Sequence, residues 1–384
     1  MKPHVAVVGA GAFGGWTALH LLRRGARVTL LDAWGPGNSR SSSGGETRII
    51  RGVYGPDRVY VDWTARSFGM WREAEQRWGR RLYRRTGVLW MAGEDDVYVR
   101  ESLPLLRDAG LEIEEIAREG APARFPQIEF DGVSSVYHEP EAGYLLARRA
   151  CQAVAEAVAA GGGEVRIAAA FPDLSEGRLQ LADGSSLEAD LYLFACGPWL
   201  GGLFPEVVGE RLLRVTRQEV FFFGLPPGDP WFHEDRCPTW IDLSGERIYY
   251  GMPGNEHRGF KVADDTRGAP FDSTFGERLV TPDLLEAARE ALARRFPRLA
   301  GEPVIETRVC QYENSPDGHL LFDRHPRAGN VWLLGGGSGH GFKLAPALGE
   351  HAARILLEDG TPDPLFRLDR PGHGEGEIRT QFER

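Results

Sequence analysis

The sequence predicts an α/β fold: an alternating strand–helix region built from both chain ends, interleaved with a mixed-sheet α+β region from the middle. Three observations carry this reading. The chain opens with an apolar run, a glycine turn and an amphipathic stretch. It closes with the same three-part pattern across residues 331–357. The segments between are rich in short β-branched and aromatic runs, which suit strands.

Taken in order, residues 4–8 read as a buried parallel strand, 15–24 as an amphipathic helix and 27–31 as the next strand. Residues 35–45 are a Gly/Ser-rich loop. A helical pattern covers 61–78, and strands are expected at 86–91 and 134–138. A helix is expected over 145–160, stopped by Gly161, Gly162 and Gly163. Strands follow at 165–167, 179–181 and 189–195, the last closed by Gly197-Pro198. Residues 215–223, 247–250 and the stretch around Cys310 are strand-like. Thr281 is the expected N-cap of a helix that reaches residue 295, with Pro282 at its first position. A strand at 331–334, a glycine turn at 335–341 and a helix at 344–357 follow. The charged tail after Asp359 is expected to be only partly ordered.

Composition narrows the function. A formal net charge of −10 over 384 residues disfavours nucleic acid or an anionic membrane as partner, since both reward a basic face. No run approaches the roughly 20 apolar residues needed to span a bilayer, and the opening apolar run is too short for a secretion signal. Cys151, Cys196, Cys237 and Cys310 are scattered without a CxxC pair. Neither a metal site nor a disulfide framework is therefore expected, and a cytoplasmic location is the default.

Gly9-Ala10-Gly11-Ala12-Phe13-Gly14 fits GxGxxG between an expected strand and helix, with Asp32 about 20 residues on. Gly9 allows the tight turn, and Gly11 lets backbone approach a pyrophosphate at a helix N-terminus. Gly14 permits close helix–strand packing, and Asp32 can accept from a ribose diol. This unit alone does not separate NAD from FAD. A second glycine turn, Gly335-Gly336-Gly337-Ser338-Gly339-His340-Gly341, suits a long cofactor touched by both chain ends.

With these landmarks in place, the chain resembles the monomeric sarcosine oxidase family, within the D-amino-acid-oxidase-like flavoenzymes. Four segments carry the resemblance. They are the N-terminal dinucleotide motif; Gly45-Glu46-Thr47-Arg48-Ile49-Ile50-Arg51; Tyr249-Tyr250-Gly251 with Lys261 downstream; and Val309-Cys310-Gln311-Tyr312 together with Gly337-Ser338-Gly339-His340-Gly341-Phe342-Lys343. The resemblance implies a Rossmann-like FAD-binding domain (1–85, 143–214 and 309–384) and a mixed-sheet substrate domain (86–142 and 215–308). It also implies a monomer that oxidises the C–N bond of a small secondary amino acid, passes the electrons to molecular oxygen and releases hydrogen peroxide.

The same resemblance assigns roles. Arg51 and Lys343 match the positions that grip the substrate carboxylate. Arg48 lies against the flavin ring, where a guanidinium can stack and hydrogen-bond. Lys261 promotes reaction with oxygen by offering positive charge to a developing anion. Cys310 carries covalent flavin, and Tyr250 and Tyr312 line the substrate cavity. Further cofactor contacts fall on Phe13, Arg40, Ser43, Thr47, Phe171, Gly197, Gly337, Gly339, Gly341 and Lys343. Plainer roles compete: a salt bridge from Arg48 to Glu46 or Asp57, a solvated Lys261, a packed Cys310 and ordinary tyrosine packing. His340 is expected to contact backbone or cofactor, and Trp199 only to pack.

Two positions depart from the family. Gly44 and Asp265 stand where sarcosine oxidases carry histidines. An acid for a histidine changes pocket charge, so larger N-methyl amino acids, or cyclic ones such as proline or pipecolate, come into play. Asp265 then becomes a candidate partner for a substrate amine. Competing functions are an FAD dehydrogenase with another electron acceptor, an oxidase of primary amino acids, a non-catalytic redox sensor and, least of all, an NAD-linked dehydrogenase.

Overall fold

A computed structural model describes residues 2–370, 378 and 380–382. The first layer is a six-stranded sheet in the order Leu321–Arg324, Val331–Gly335, Leu191–Phe194, His4–Val8, Arg27–Asp32 and Glu164–Ile167. All pairings in it are parallel except the Leu321–Arg324 edge. His4–Val8 is buried along its whole length, as expected of a parallel strand covered on both faces. Helices Ala12–Arg23, Ala147–Ala160 and Ala345–Glu358 pack with this sheet. Both chain ends therefore build one sheet.

The middle of the chain forms an eight-stranded mixed sheet. Its order is Val304–Asn314, Arg214–Phe223, Phe260–Asp264, Tyr249–Met252, Thr239–Leu243, Val88–Ala92, Ser135–Glu139 and Glu114–Ile116. Val304–Asn314 straddles the expected boundary at residue 309 and pairs antiparallel with Arg214–Phe223 along its length. Helix Pro282–Arg295 closes one face through Ala288, Ala291 and Leu292. A small three-stranded sheet, Thr47–Ile50, Gly143–Leu146 and Tyr83–Arg84, lies between the larger two in sequence and carries Arg48.

Two expectations need correction. The helix expected from residue 145 begins at Ala147, because Gly143–Leu146 is a strand held between Thr47–Ile50 and Tyr83–Arg84. Thr281 is the N-cap residue but makes no side-chain cap bond; its hydroxyl donates to Glu219 instead (2.8 Å). The expectation for the tail falls in large part outside the described residues, which leave out 371–377, 379, 383 and 384. Arg370 is buried against Asp317, and Thr380 and Gln381 are buried.

Close approach at the first glycine turn positions everything that follows. Gly9 has φ of +108°. A Cβ on Gly14 would stand 1.9 Å from the Gly9 carbonyl oxygen, a backbone atom that cannot swing aside. Gly14→Ala is therefore expected to lower stability by about 1–3 kcal/mol, measured by thermal unfolding. An unchanged transition would show that the turn is looser than described.

Candidate active site

Two adjoining cavities meet at Arg48 and Tyr312. The larger, about 370 Å³, runs from Asp32 past the first glycine turn to the second. It is bordered by Gly9, Gly11, Phe13, Asp32, Ser43, Arg48, Phe171, Gly197, Gly337, Gly339 and Gly341. The smaller, about 50 Å³, is bordered by Arg48, Arg51, Tyr250, Asp265, Tyr312, His340, Lys343, Gln381 and Phe382. Most residues singled out from the sequence are thus brought together.

Five take other places, among them Cys310, which borders neither cavity and lies against Arg48. Gly14 packs helix against strand. Arg40 borders neither cavity; its exposed side chain donates to the Thr274 carbonyl (2.9 Å) and lies over Trp34. Thr47 is buried, and its carbonyl and hydroxyl oxygens accept from Lys261 Nζ (3.1 and 3.4 Å). Lys261 borders neither cavity. Burial first, and then the Arg48 charge, lower its pKa well below the usual lysine value.

Arg48 does not make the salt bridge to Glu46 or Asp57. Glu46 pairs with Arg148, Arg258 and Arg308 instead. The Arg48 guanidinium donates to the carbonyls of Thr47 (2.8 Å) and Ser42 (2.5 Å) and to Cys310 Sγ (3.3 Å). Cys310 and Tyr312 sit two residues apart on one strand, so they share a face of the mixed sheet. That face presents them to the strand carrying Arg48.

In the smaller cavity, Arg51 is buried between the rings of Tyr54 and Trp90, at 4.7 and 5.1 Å from their centroids. It donates to the Val53 carbonyl and to Gln381 Oε1 (2.5 Å). Lys343 Nζ donates to the His340 carbonyl (2.7 Å). Asp265 accepts from the Tyr312 hydroxyl (2.8 Å) and faces Arg267 at 3.8 Å; burial raises its pKa. The Tyr250 and Tyr312 hydroxyls are 3.4 Å apart, and burial raises both, Tyr250 to about 12. His340 Nε2 meets the Gly318 carbonyl (2.9 Å).

Asp32 accepts from the Ala10 and Trp34 amides, each at 2.9 Å. Trp199 does more than pack: it borders the larger cavity, its indole N–H donates to Thr274 (2.8 Å), and its ring lies against Trp34. Sequence reasoning also missed Ser42, Gln311 and Glu313. All three border the larger cavity. Each leaves one buried oxygen without a hydrogen-bond partner among the described residues: Ser42 Oγ, Gln311 Oε1 and Glu313 Oε2. Buried polar atoms are rarely left so. Glu313 follows directly on the quoted motif, so its position carried a signal; its chemistry did not.

Residues 4–355 match the family model described as FAD dependent oxidoreductase (DAO). The chain belongs to that family. Its members in the comparison include the monomeric sarcosine oxidase of Bacillus sp. (strain B-0618), 29% identical over 98% of both chains. The peroxisomal sarcosine oxidase of Homo sapiens is 30% identical over 92% of this chain and 90% of its own. The L-proline dehydrogenase structure from P. horikoshii shares the fold, with a TM-score of 0.83, 19% identity and coverage of 98% and 99%. The larger cavity fits the FAD that the family uses. The glycine turn opens onto it, and its three unpartnered oxygens await a polar ligand. Among the described residues, no helix is long and apolar enough to cross a membrane.

Burial pushes the Glu313 carboxyl up to about 8, only partly offset by the Gly337 amide. The folded chain then keeps a proton that the unfolded chain loses near pH 4.5. Stability therefore falls as pH rises through that window, and levels off above it. Glu313→Gln in flavin-free protein should match wild type near pH 4.5. It should exceed wild type at pH 8.5 by about 2–5 kcal/mol, read by thermal unfolding across pH. Parallel profiles would contradict this.

Proposed function

We propose that the protein oxidises the C–N bond of a small secondary amino acid, N-methyl or cyclic, to an imine, with oxygen as acceptor and hydrogen peroxide as co-product. The observation that carries the proposal is the smaller cavity. It sets two buried cations, Arg51 and Lys343, opposite a buried carboxyl, Asp265. A zwitterionic amino acid offers the matching pair of charges. Charge-assisted hydrogen bonds contribute about 1.5–3 kcal/mol each, enough to orient a ligand of few heavy atoms. The resemblance to sarcosine oxidases supports the same substrate class.

FAD, when bound, takes the hydride equivalent from the carbon beside the nitrogen. The chain's own residues do the rest. Arg51 and Lys343 hold the carboxylate. Asp265 accepts from the amine and, with Tyr250 and Tyr312, excludes water. Arg48 lies where the two cavities join and supplies a fixed cation there. Its guanidinium also donates to Cys310 Sγ at 3.3 Å, so the thiol lies beside the residue that joins the two cavities, which supports Cys310 as the point of covalent flavin attachment. The FAD-binding unit is assigned to residues 1–85, 143–214 and 309–384, and the substrate unit to 86–142 and 215–308.

Lys261 supports a second reading. It donates to Thr47 and borders neither cavity, with its Nζ 5.5 Å from the Tyr250 ring, and burial lowers its pKa well below the usual lysine value. Burial thus works against the positive charge that oxygen activation would use there. An FAD dehydrogenase that reduces a carrier has no need of it. Peroxide release at the rate of substrate loss supports the oxidase; dye reduction without peroxide supports the dehydrogenase.

Two outcomes test the site. Under anaerobic conditions, sarcosine, N-methyl amino acids, proline and pipecolate should include at least one that bleaches the flavin band, and Arg51→Met should slow that bleaching at least about 100-fold. Equal bleaching by amines without a carboxylate would overturn the assignment. Acid precipitation should leave flavin colour in the wild-type pellet and none in that of Cys310→Ala. A colourless wild-type pellet would refute the link.

A further inference from the structure

Gln381, near the end of the sequence, reaches the polar end of the smaller cavity. Its carboxamide oxygen accepts from Arg51 Nη2 at 2.5 Å, and its Nε2 donates to Asp265 Oδ2 at 3.3 Å. Gln381 is buried, and Phe382 beside it packs edge-on against Tyr98 and Trp90. The carboxamide therefore joins the cation and the carboxyl that the proposed function assigns to the two ends of a zwitterion. It offers an acceptor where a substrate carboxylate would go and a donor where the amine would go.

We infer that Gln381 is a specificity-determining residue: its side chain holds the substrate's place between Arg51 and Asp265, and substrate binds by displacing it. This rests on the reading of Arg51 as the carboxylate site. The physical case has three parts. A neutral amide satisfies both groups while keeping them from pairing directly with each other, so the site stays open to a ligand. Its hydrogen bonds lack the second charge, so a zwitterion with charge at both ends replaces them favourably. And with Gln381 in place the cavity, about 50 Å³, holds only a few water-sized groups, less than an N-substituted amino acid requires. Displacement thus sets both the affinity and the size limit of the site.

The test titrates holoenzyme with acetate, and then with phenylacetate, and follows the visible flavin spectrum. Gln381→Ala should tighten acetate binding about tenfold and extend binding to phenylacetate. Gln381→Glu places a tethered carboxylate on Arg51 and should weaken acetate binding at least about tenfold. In turnover, Gln381→Ala should lower KM by a larger factor than it changes kcat. The opposite directions of the two variants separate displacement from general loss of structure, which would weaken both. If wild type responds to acetate and Gln381→Ala binds it no tighter, the inference is overturned and the carboxylate site stands. If wild type shows no response, and Arg51→Met behaves identically, the carboxylate site itself fails, and the inference with it.

Discussion

The site depends on Arg48, a cation held by two carbonyls and a thiol rather than by a carboxylate. Arg48 donates to two carbonyls and a thiol, Lys261 to Thr47, and Lys343 to the His340 carbonyl. Elsewhere the chain pairs its buried charges closely. Arg295 and Asp242 are 2.6 Å apart and almost wholly buried, and Glu46 meets three arginines. Around Arg48 the carbonyls satisfy hydrogen-bonding geometry without compensating the positive charge, which is costly away from water. An anionic ligand removes that cost, so the arrangement favours one.

The two large sheets make this possible by lining the same pair of cavities. The parallel sheet delivers backbone: the turn after His4–Val8 and the turn after Val331–Gly335 border the same cavity. The mixed sheet delivers side chains. Tyr250, Cys310 and Tyr312 project from its strands, and Asp265 follows directly after Phe260–Asp264. The small sheet between them presents Arg48 to both cavities. Backbone amides suit a phosphate-bearing cofactor, while side chains suit discrimination among small substrates.

Much of this was legible in the sequence, because the informative features are local. GxGxxG with Asp32 reads as a unit within one strand–turn–helix segment, and the cavity residues around it followed. The family resemblance brought Arg48, Arg51, Tyr250, Asp265, Tyr312 and Lys343 together although they are far apart in the chain. What stayed hidden depends on long-range burial. Glu313 looks like any acidic strand residue until the sheets close over it and strand its Oε2. Gln381 lies in a tail whose composition suggests disorder, yet it ends beside residues 116 and 330 positions away. The buried, near-neutral setting of Lys261 likewise follows from packing against Arg48, which no spacing reveals. Gly143–Leu146 was masked by an apolar run that suits a helix and a strand equally well.

The central proposal is that a bound flavin ring would lie where the two cavities join, beside Arg48, with a carboxylate site on Arg51 just beyond. A diffraction map of the protein crystallised with FAD and acetate tests it most directly. The account predicts ring density between Arg48 and Tyr312, with the acetate oxygens on Arg51 and Lys343. A ring bound elsewhere, or acetate that leaves Arg51 without an anion, would contradict it.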